Sequence, residues 1–169
     1  MKDIQVVTYQ EHLKDQVIKL ISSIQQQEFN IPLSIEDQPD LLNILNYYQV
    51  DNGNFWCAII DSHVIGTIGL IDIGNGQGVL RKMFVAKNYR GKEQGIAQLL
   101  LNKVLGWCAD RQIDEIYLGT VSIFIAAQKF YLKNGFSEIR QCKLPDNFPI
   151  MTVDTKFYVY RGGKDYASN

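Results

Sequence analysis

Residues 79–110 read VLRKMFVAKNYRGKEQGIAQLLLNKVLGWCAD, and the reading of this stretch decides the fold. An apolar run with strand character reaches Val85. A short basic, glycine-containing turn follows, and an amphipathic helix begins near Gln94. Ile96, Leu99, Leu100, Val104, Trp107 and Cys108 recur at intervals of three and four, which predicts one buried helical face. Gly95 and Ala97 leave the helix start almost bare, so a ligand can approach the backbone there. The first four N–H groups of a helix lack internal partners, and the macrodipole adds about half a positive charge. Such an end suits a phosphate, and Arg90 and Lys92 add formal charge beside it. Taken alone, the stretch reads equally well as an ordinary strand-to-helix turn carrying solvated basic residues.

Working outward, residues 4–7 read as a first strand. Thr8 and Glu11 have capping-box spacing, and a helix is expected over about Tyr9 to Gln27 with Leu13, Val17, Leu20, Ile21 and Ile24 inward. His12 falls off that apolar face. The prolines at 32 and 39 interrupt the helix, and Ser34 or Asp37 offers a cap for a second one burying Leu41, Leu42, Leu45 and Tyr48. Strands follow over 55–60 and 64–73, joined by a tight turn at 61–63. GNGQG at 74–78 resembles a dinucleotide fingerprint in spacing, but a strand follows it, so a hairpin turn is expected. Beyond the central helix, residues 114–120 read as a strand parallel to the one ending at Val85, because a helical crossover joins them. A helix through Ile123, Ala126, Ala127, Phe130 and Tyr131 should stop at Asn134–Gly135, with Phe136 packing back on it. Two strands, SEIRQCKL and VDTKFYVYR, flank a loop from Pro145 to Met151. The expected fold is α/β and three-layered, a mixed central sheet in the order βααβββαβαββ, with residues 1–169 forming one domain.

Composition narrows the function. A chain of 169 residues with 46% hydrophobic content buries a real core, and its net charge of −1 gives no global attraction for nucleic acid or an anionic membrane. The first sixteen residues lack the apolar core of a signal peptide, and no apolar run suffices to span a bilayer, so a cytoplasmic location is expected. Cys57, Cys108 and Cys142 are odd in number and widely spaced, which argues against disulfides or a zinc site and suggests small core residues. With His12 and His63 the only histidines, a Ser-His-Asp or His-metal mechanism is disfavoured, and no metal is expected.

Two separated segments resemble the GNAT superfamily of acyl-coenzyme A dependent N-acetyltransferases. MFVAKNYRGKEQGIAQLL is similar to the family's strand, splayed turn and helix start, and AAQKFYLKNGF to its Ala-x-x-x-Tyr-x-Lys-x-Gly-Phe helix end. They stand in the family's order and cover about residues 79–136. The resemblance implies a GNAT-like fold and acetyl transfer from acetyl-CoA to a primary amine of a small molecule or peptide, by direct attack in a ternary complex. It also implies that backbone N–H groups from Lys92 through Gln94, Gly95, Ile96 and Ala97 cradle the pyrophosphate, with Arg90 and Gly91 in the same turn. The pantetheine arm would follow the strand edge at Met83, Phe84 and Val85, and Tyr131 would protonate the leaving thiolate as general acid. The partners implied are a coenzyme A thioester and an amine acceptor, in a monomer or homodimer.

The family turn is shorter than the one here, which separates Arg90 and Gly91 from Gly95 by Lys92, Glu93 and Gln94, so either Arg90 or Lys92 is placed for the phosphates. Phe124 stands where the family often has Asn. Glu28 and Asp72 are candidate bases by location. The acceptor pocket expected from the resemblance spans about 25–40 and 144–155, where Glu28, Asp37, Asp40, Asp146 and Asp154 suit a cationic amine. The competing reading is an acyl-CoA-binding regulatory module with weak or no catalytic activity.

Overall fold

Central strands buried nearly throughout build a sheet with an apolar face on each side. The computed structural model describes residues 3–162. The strands are β1 (Gln5–Thr8), β2 (Asn54–Ile60), β3 (His63–Gly74), β4 (Gln77–Val85), β5 (Glu115–Thr120), β6 (Ser137–Ile139) and β7 (Lys156–Arg161). They form one seven-stranded sheet in the order β1-β2-β3-β4-β5-β7-β6. The pairings are antiparallel except β4 with β5, which is parallel as the crossover requires. The two hairpins linking β2, β3 and β4 turn on Asp61–Ser62 and Asn75–Gly76, all four residues at positive φ. Such turns match the right-handed twist of the flanking strands. GNGQG is therefore a hairpin.

The helices are α1 (Lys14–Ser22), α2 (Pro39–Leu42), α3 (Ile44–Tyr48), α4 (Ile96–Asp110) and α5 (Ile125–Lys133). In β2, Trp56, Ala58 and Ile60 join one core while Phe55, Cys57 and Ile59 pack in another, the two-residue period of a strand buried on both faces. The first core takes Ile96, Leu100, Leu101, Val104 and Cys108 from α4 and Tyr131 from α5. The second takes Val17 and Ile21 from α1, Leu41 from α2, and Ile44 and Tyr48 from α3. A third, smaller cluster of Val79, Tyr117, Phe148, Phe157 and Val159 lies where the loop before β7 covers the sheet. The result is the expected three-layer α/β arrangement.

Several local expectations are corrected. Thr8 is held in β1 opposite Trp56, so no capping box forms; helix begins at Glu11, whose carboxylate accepts the Tyr9 hydroxyl instead. A 3-10 turn, α1 and a wide π turn over Ser23–Glu28 together span the first helical segment. The second expected helix breaks at Asn43 into α2 and α3, which buries Leu41, Ile44 and Tyr48 and exposes Leu42 and Leu45. On α4 the stripe is displaced: Leu101 is buried and Leu99 is 43% exposed. Ile123 lies outside α5 and is exposed. SEIRQCKL gives only three strand residues before a 3-10 turn, and Cys142 on that turn is exposed, unlike Cys57 and Cys108. The helix stop at Gly135 stands as expected, with φ +90° and the Phe136 N–H donating to the Tyr131 carbonyl.

These faces give a direct test by denaturant unfolding. Leu100→Ala empties a fully buried site between α4 and the sheet and should cost about 3 kcal/mol. Leu99→Ala, at the exposed neighbour, should cost under about 1 kcal/mol.

Candidate functional site

The sheet opens between β4 and β5. Their parallel pairing covers only Gln77–Val79 against Glu115–Tyr117, after which β5 continues along β7 while β4 continues along β3. From Leu80 to Val85, β4 therefore has no strand beside it on the β5 side, and, the Val85 carbonyl taken by Arg90 aside, its outward N–H and C=O groups are available to an extended ligand. Met83 and Val85 lean toward the α4–α5 core, whereas Phe84 packs on the α1–α3 side.

At the end of β4 the chain makes a 3-10 turn, then crosses Gly91 at φ +113° and Gly95 at φ +68° before α4 starts. Gly95 is the N-cap in a left-handed conformation that a side chain would strain, and it supplies no capping side chain. The Gly95 N–H donates to the Gly91 carbonyl, which closes the turn on itself. The N–H groups of Ile96 and Ala97 stand at the helix start, where no internal acceptor reaches them. Lys92, Glu93 and Gln94 are exposed beside them.

Arg90 points elsewhere. Its Nε donates to the Val85 carbonyl at 2.8 Å and its guanidinium forms a two-armed ion pair with Glu28, Nη2 to Oε1 at 2.8 Å. The hydrogen bonds from Arg90 hold the Glu28 carboxyl below its ordinary pKa, which disfavours Glu28 as a base in this arrangement. Of the two cationic side chains considered for the phosphates, Lys92 is the one not engaged this way. Next to Glu28, the Phe29 ring meets Phe124 edge-on at 4.8 Å between centroids, and Phe124 meets Phe84 at 6.3 Å. The aromatic in the place of the family's Asn thus links the π turn, β4 and the start of α5.

Tyr131 sits in α5 on the α4–α5 side of the sheet, its ring packed on Phe130, Phe136 and Tyr158. Burial raises its pKa well above that of a free tyrosine, so the hydroxyl keeps its proton at neutral pH. That hydroxyl has no hydrogen-bond partner among the described residues, yet it is not sealed from solvent. Asp72 is excluded by place. It lies opposite Gly78, five residues or about 15 Å along β4 from Met83, and its oxygens accept the Asn52 and Gly74 N–H groups. It lines a shallow hollow with Asp51, Asn52, Ile73, Gly74 and Asn147 at the far end of the strand.

Sequence reasoning missed a buried charge cluster on the α1–α3 face. Lys82 adopts φ +54°, and the β3–β4 register shifts there, so two β4 residues oppose Ile68. This bulge turns Arg81 and Lys82 to the same face, where Arg81 and Lys82 both approach Asp40 Oδ2. Asp40 in turn accepts the Tyr48 hydroxyl at 2.5 Å. Lys82 Nζ donates to Gln38 Oε1 at 2.6 Å, and Gln38 exchanges two hydrogen bonds with Gln25. Burial pulls the Lys82 pKa down to about 8, with Asp40 opposing the shift. A signal existed in the sequence: the adjacent charges of Arg81 and Lys82 break the two-residue alternation of VLRKMFV, and a bulge resolves that break.

With this geometry in view, the similarities to known proteins have a clear meaning. The profile of the Acetyltransferase (GNAT) family matches residues 18–136. A crystal structure of a GNAT-family acetyltransferase from Staphylococcus aureus MU50 is 44% identical, covers 94% of this chain and 99% of its own, and superposes with a TM-score of 0.91. An N-acetylaspartate synthetase from Xenopus tropicalis is 37% identical over 102 residues, spanning 59% of this chain but only 37% of that protein. A streptothricin acetyltransferase A from Bacillus subtilis is 26% identical over 137 residues, spanning 80% of this chain and 78% of its own. The profile match encloses the parted strands, the glycine turn and Tyr131 together, and the chain belongs to the GNAT family of acetyltransferases.

Proposed function

We propose that this chain, acting as one domain, transfers an acetyl group from acetyl-CoA to a primary amine of a small molecule or peptide within a ternary complex. The observation that carries this reading is the open β4 edge running into a glycine-bounded helix start. The site is the side of β4 from Leu80 to Val85 that no strand covers, followed by N–H groups at Ile96 and Ala97. An extended pantetheine arm adds to the edge at Met83, Phe84 and Val85 as a strand would, and the pyrophosphate meets the N–H groups between Lys92 and Ala97. Because that cradle is mostly backbone, it does not require Arg90. The three free cysteines favour a reducing compartment, and the reading places the protein in the cytoplasm.

The chemistry follows from the chain's own groups. The neutral amine nitrogen attacks the thioester carbonyl carbon, and a backbone N–H on the β4 edge stabilises the developing oxyanion. As the C–N bond forms, the C–S bond breaks, and the departing thiolate takes the Tyr131 hydroxyl proton. A tyrosine whose pKa is raised by burial is reliably protonated for this step. The Tyr131 phenolate then recovers its proton, directly or through water, from the protonated product amide nitrogen or solvent.

Steady-state kinetics and calorimetry test these roles. Tyr131→Phe should lower kcat by about 100-fold while leaving the coenzyme A dissociation constant within about twofold; unaltered turnover would remove Tyr131 from the reaction. Lys92→Glu should weaken coenzyme A binding about 5-fold at low salt, less at high salt. Arg90→Gln, which breaks the tie to Glu28, should weaken it less than Lys92→Glu does. Tight coenzyme A binding with no thiol release across a broad amine panel would instead favour the regulatory-module reading.

A further inference from the structure

We infer that the acceptor amine carries a carboxylate, and that Lys82 and Arg81 hold it. The inference rests on the acetyl-transfer reading and names the acceptor class of the same site. Of the five acidic side chains expected to attract a cationic amine, four are already engaged, and the fifth, Asp146, is exposed on the loop before β7. Glu28 is paired with Arg90. Asp37 accepts the N–H and the hydroxyl of Ser34. Asp40 holds the Tyr48 hydroxyl and faces both cations, and Asp154, whose charge also acts on both cations, accepts the Met151 N–H.

The two cations, by contrast, have more donors than close acceptors. Lys82 has three N–H groups and one close oxygen acceptor, Gln38 Oε1 at 2.6 Å; Met151 Sδ and Asp40 Oδ2 both lie at 3.7 Å. Arg81 has five N–H groups, the Tyr47 hydroxyl at 3.3 Å, and Asp40 at 3.8 Å. Both distances to Asp40 exceed a hydrogen bond. A cation held away from water needs such bonds, and a carboxylate can accept from both groups at once.

The position suits an acceptor. Lys82 lies on the open edge next to Met83, and its amine lies where Gln38 and Asp40 before and in α2 meet Met151 before β7. Its side chain is only 3% exposed, and Met151 Sδ lies 3.7 Å from Nζ, a thioether on three rotatable bonds that can move aside for a ligand. The left-handed backbone at Lys82 is a strained choice for a non-glycine residue, and it is what brings Lys82 to this face beside Arg81. Burial already draws the Lys82 amine toward neutrality, so an entering carboxylate would favour its charged form.

The test uses matched acceptors: aspartate against asparagine, glutamate against glutamine, and a diamine of similar length. Binding of each to the protein saturated with coenzyme A is measured by calorimetry, and acetyl transfer to each is followed by thiol release. The acids should bind at least tenfold more tightly than their amides, and Lys82→Met should shrink that ratio to within about threefold. Arg81→Gln should shrink it in the same direction, and it serves as the reporting variant if thermal unfolding shows that Lys82→Met does not fold. Amides or the diamine binding as well as the acids, or an acid preference that survives both substitutions, would overturn the inference. Acid-selective binding without thiol release on any acceptor would support it while removing the transfer reading. Turnover with no preference for acids would do the reverse.

Discussion

A parallel strand pair normally continues for the length of its shorter member, because each further residue adds ladder hydrogen bonds at little extra entropic cost. Here β4 and β5 stop after three pairs, and the reason lies on both sides. Beyond Val79, β4 bulges at Lys82, which increases local twist and bends the strand. From Glu115 to Thr120, β5 is fully matched to β7 and so stays with it. The unpaired edge that results is a liability in most proteins, an invitation to pair with another chain. In this fold it is interior to the sheet order, between β4 and β5, rather than at either end of the sheet. The site is thus a consequence of a failed pairing, and the glycine turn and Tyr131 are placed by the same divergence.

The bulge has a second consequence, on the opposite face. Turning Arg81 and Lys82 together into the α1–α3 layer sets two positive charges beside Asp40 with little water. Such clusters rarely stabilise a fold, since desolvation offsets most of the Coulombic attraction. The partners nevertheless form an ordered chain: Tyr48 fixes Asp40, and Gln25 fixes Gln38, which holds Lys82. These contacts come from both short helices and from the π turn, so the cluster ties the irregular part of the helical layer to the strand that opens the site. A hydrophobic replacement would pack as well and be less costly, which points to recognition rather than stability as the reason for the charges.

Most of the fold was legible because its signals are local and redundant. The apolar run of β2, the Asp61–Ser62 and Asn75–Gly76 turns, the crossover through α4 and the stop at Gly135 each follow from a few neighbouring residues. The misses share a different cause. Thr8 and Glu11 have the spacing of a cap, but pairing with Trp56 holds Thr8 in the sheet; Leu99 has the right interval, but the sheet selects the adjacent stripe through Leu101. Tertiary pairing overrode local preference in both. At the site, the glycine turn and Tyr131 were visible as patterns. The engagement of Arg90 by Glu28 was not, since the partners stand 62 residues apart and nothing in either segment announces the other.

That ion pair also shows what the turn, longer than the family's usual one, does with Arg90. The extra residues between Gly91 and Gly95 move Arg90 away from the helix start and back along β4, where Nε meets the Val85 carbonyl. An arginine in that place is held from the proposed phosphate cradle while it pairs with Glu28, and in that proposal the backbone N–H groups at the helix start carry the contact. A half-exposed pair is worth only about 0–1 kcal/mol, so it does not anchor the fold. Its effect is geometric: it ties the end of the π turn to the turn after β4, where Phe29 meets Phe124 and Phe124 meets Phe84 at the margin of the open edge. The loop that would shape the acceptor pocket is thereby fixed to the turn that would hold the cofactor, and any displacement of one is felt by the other.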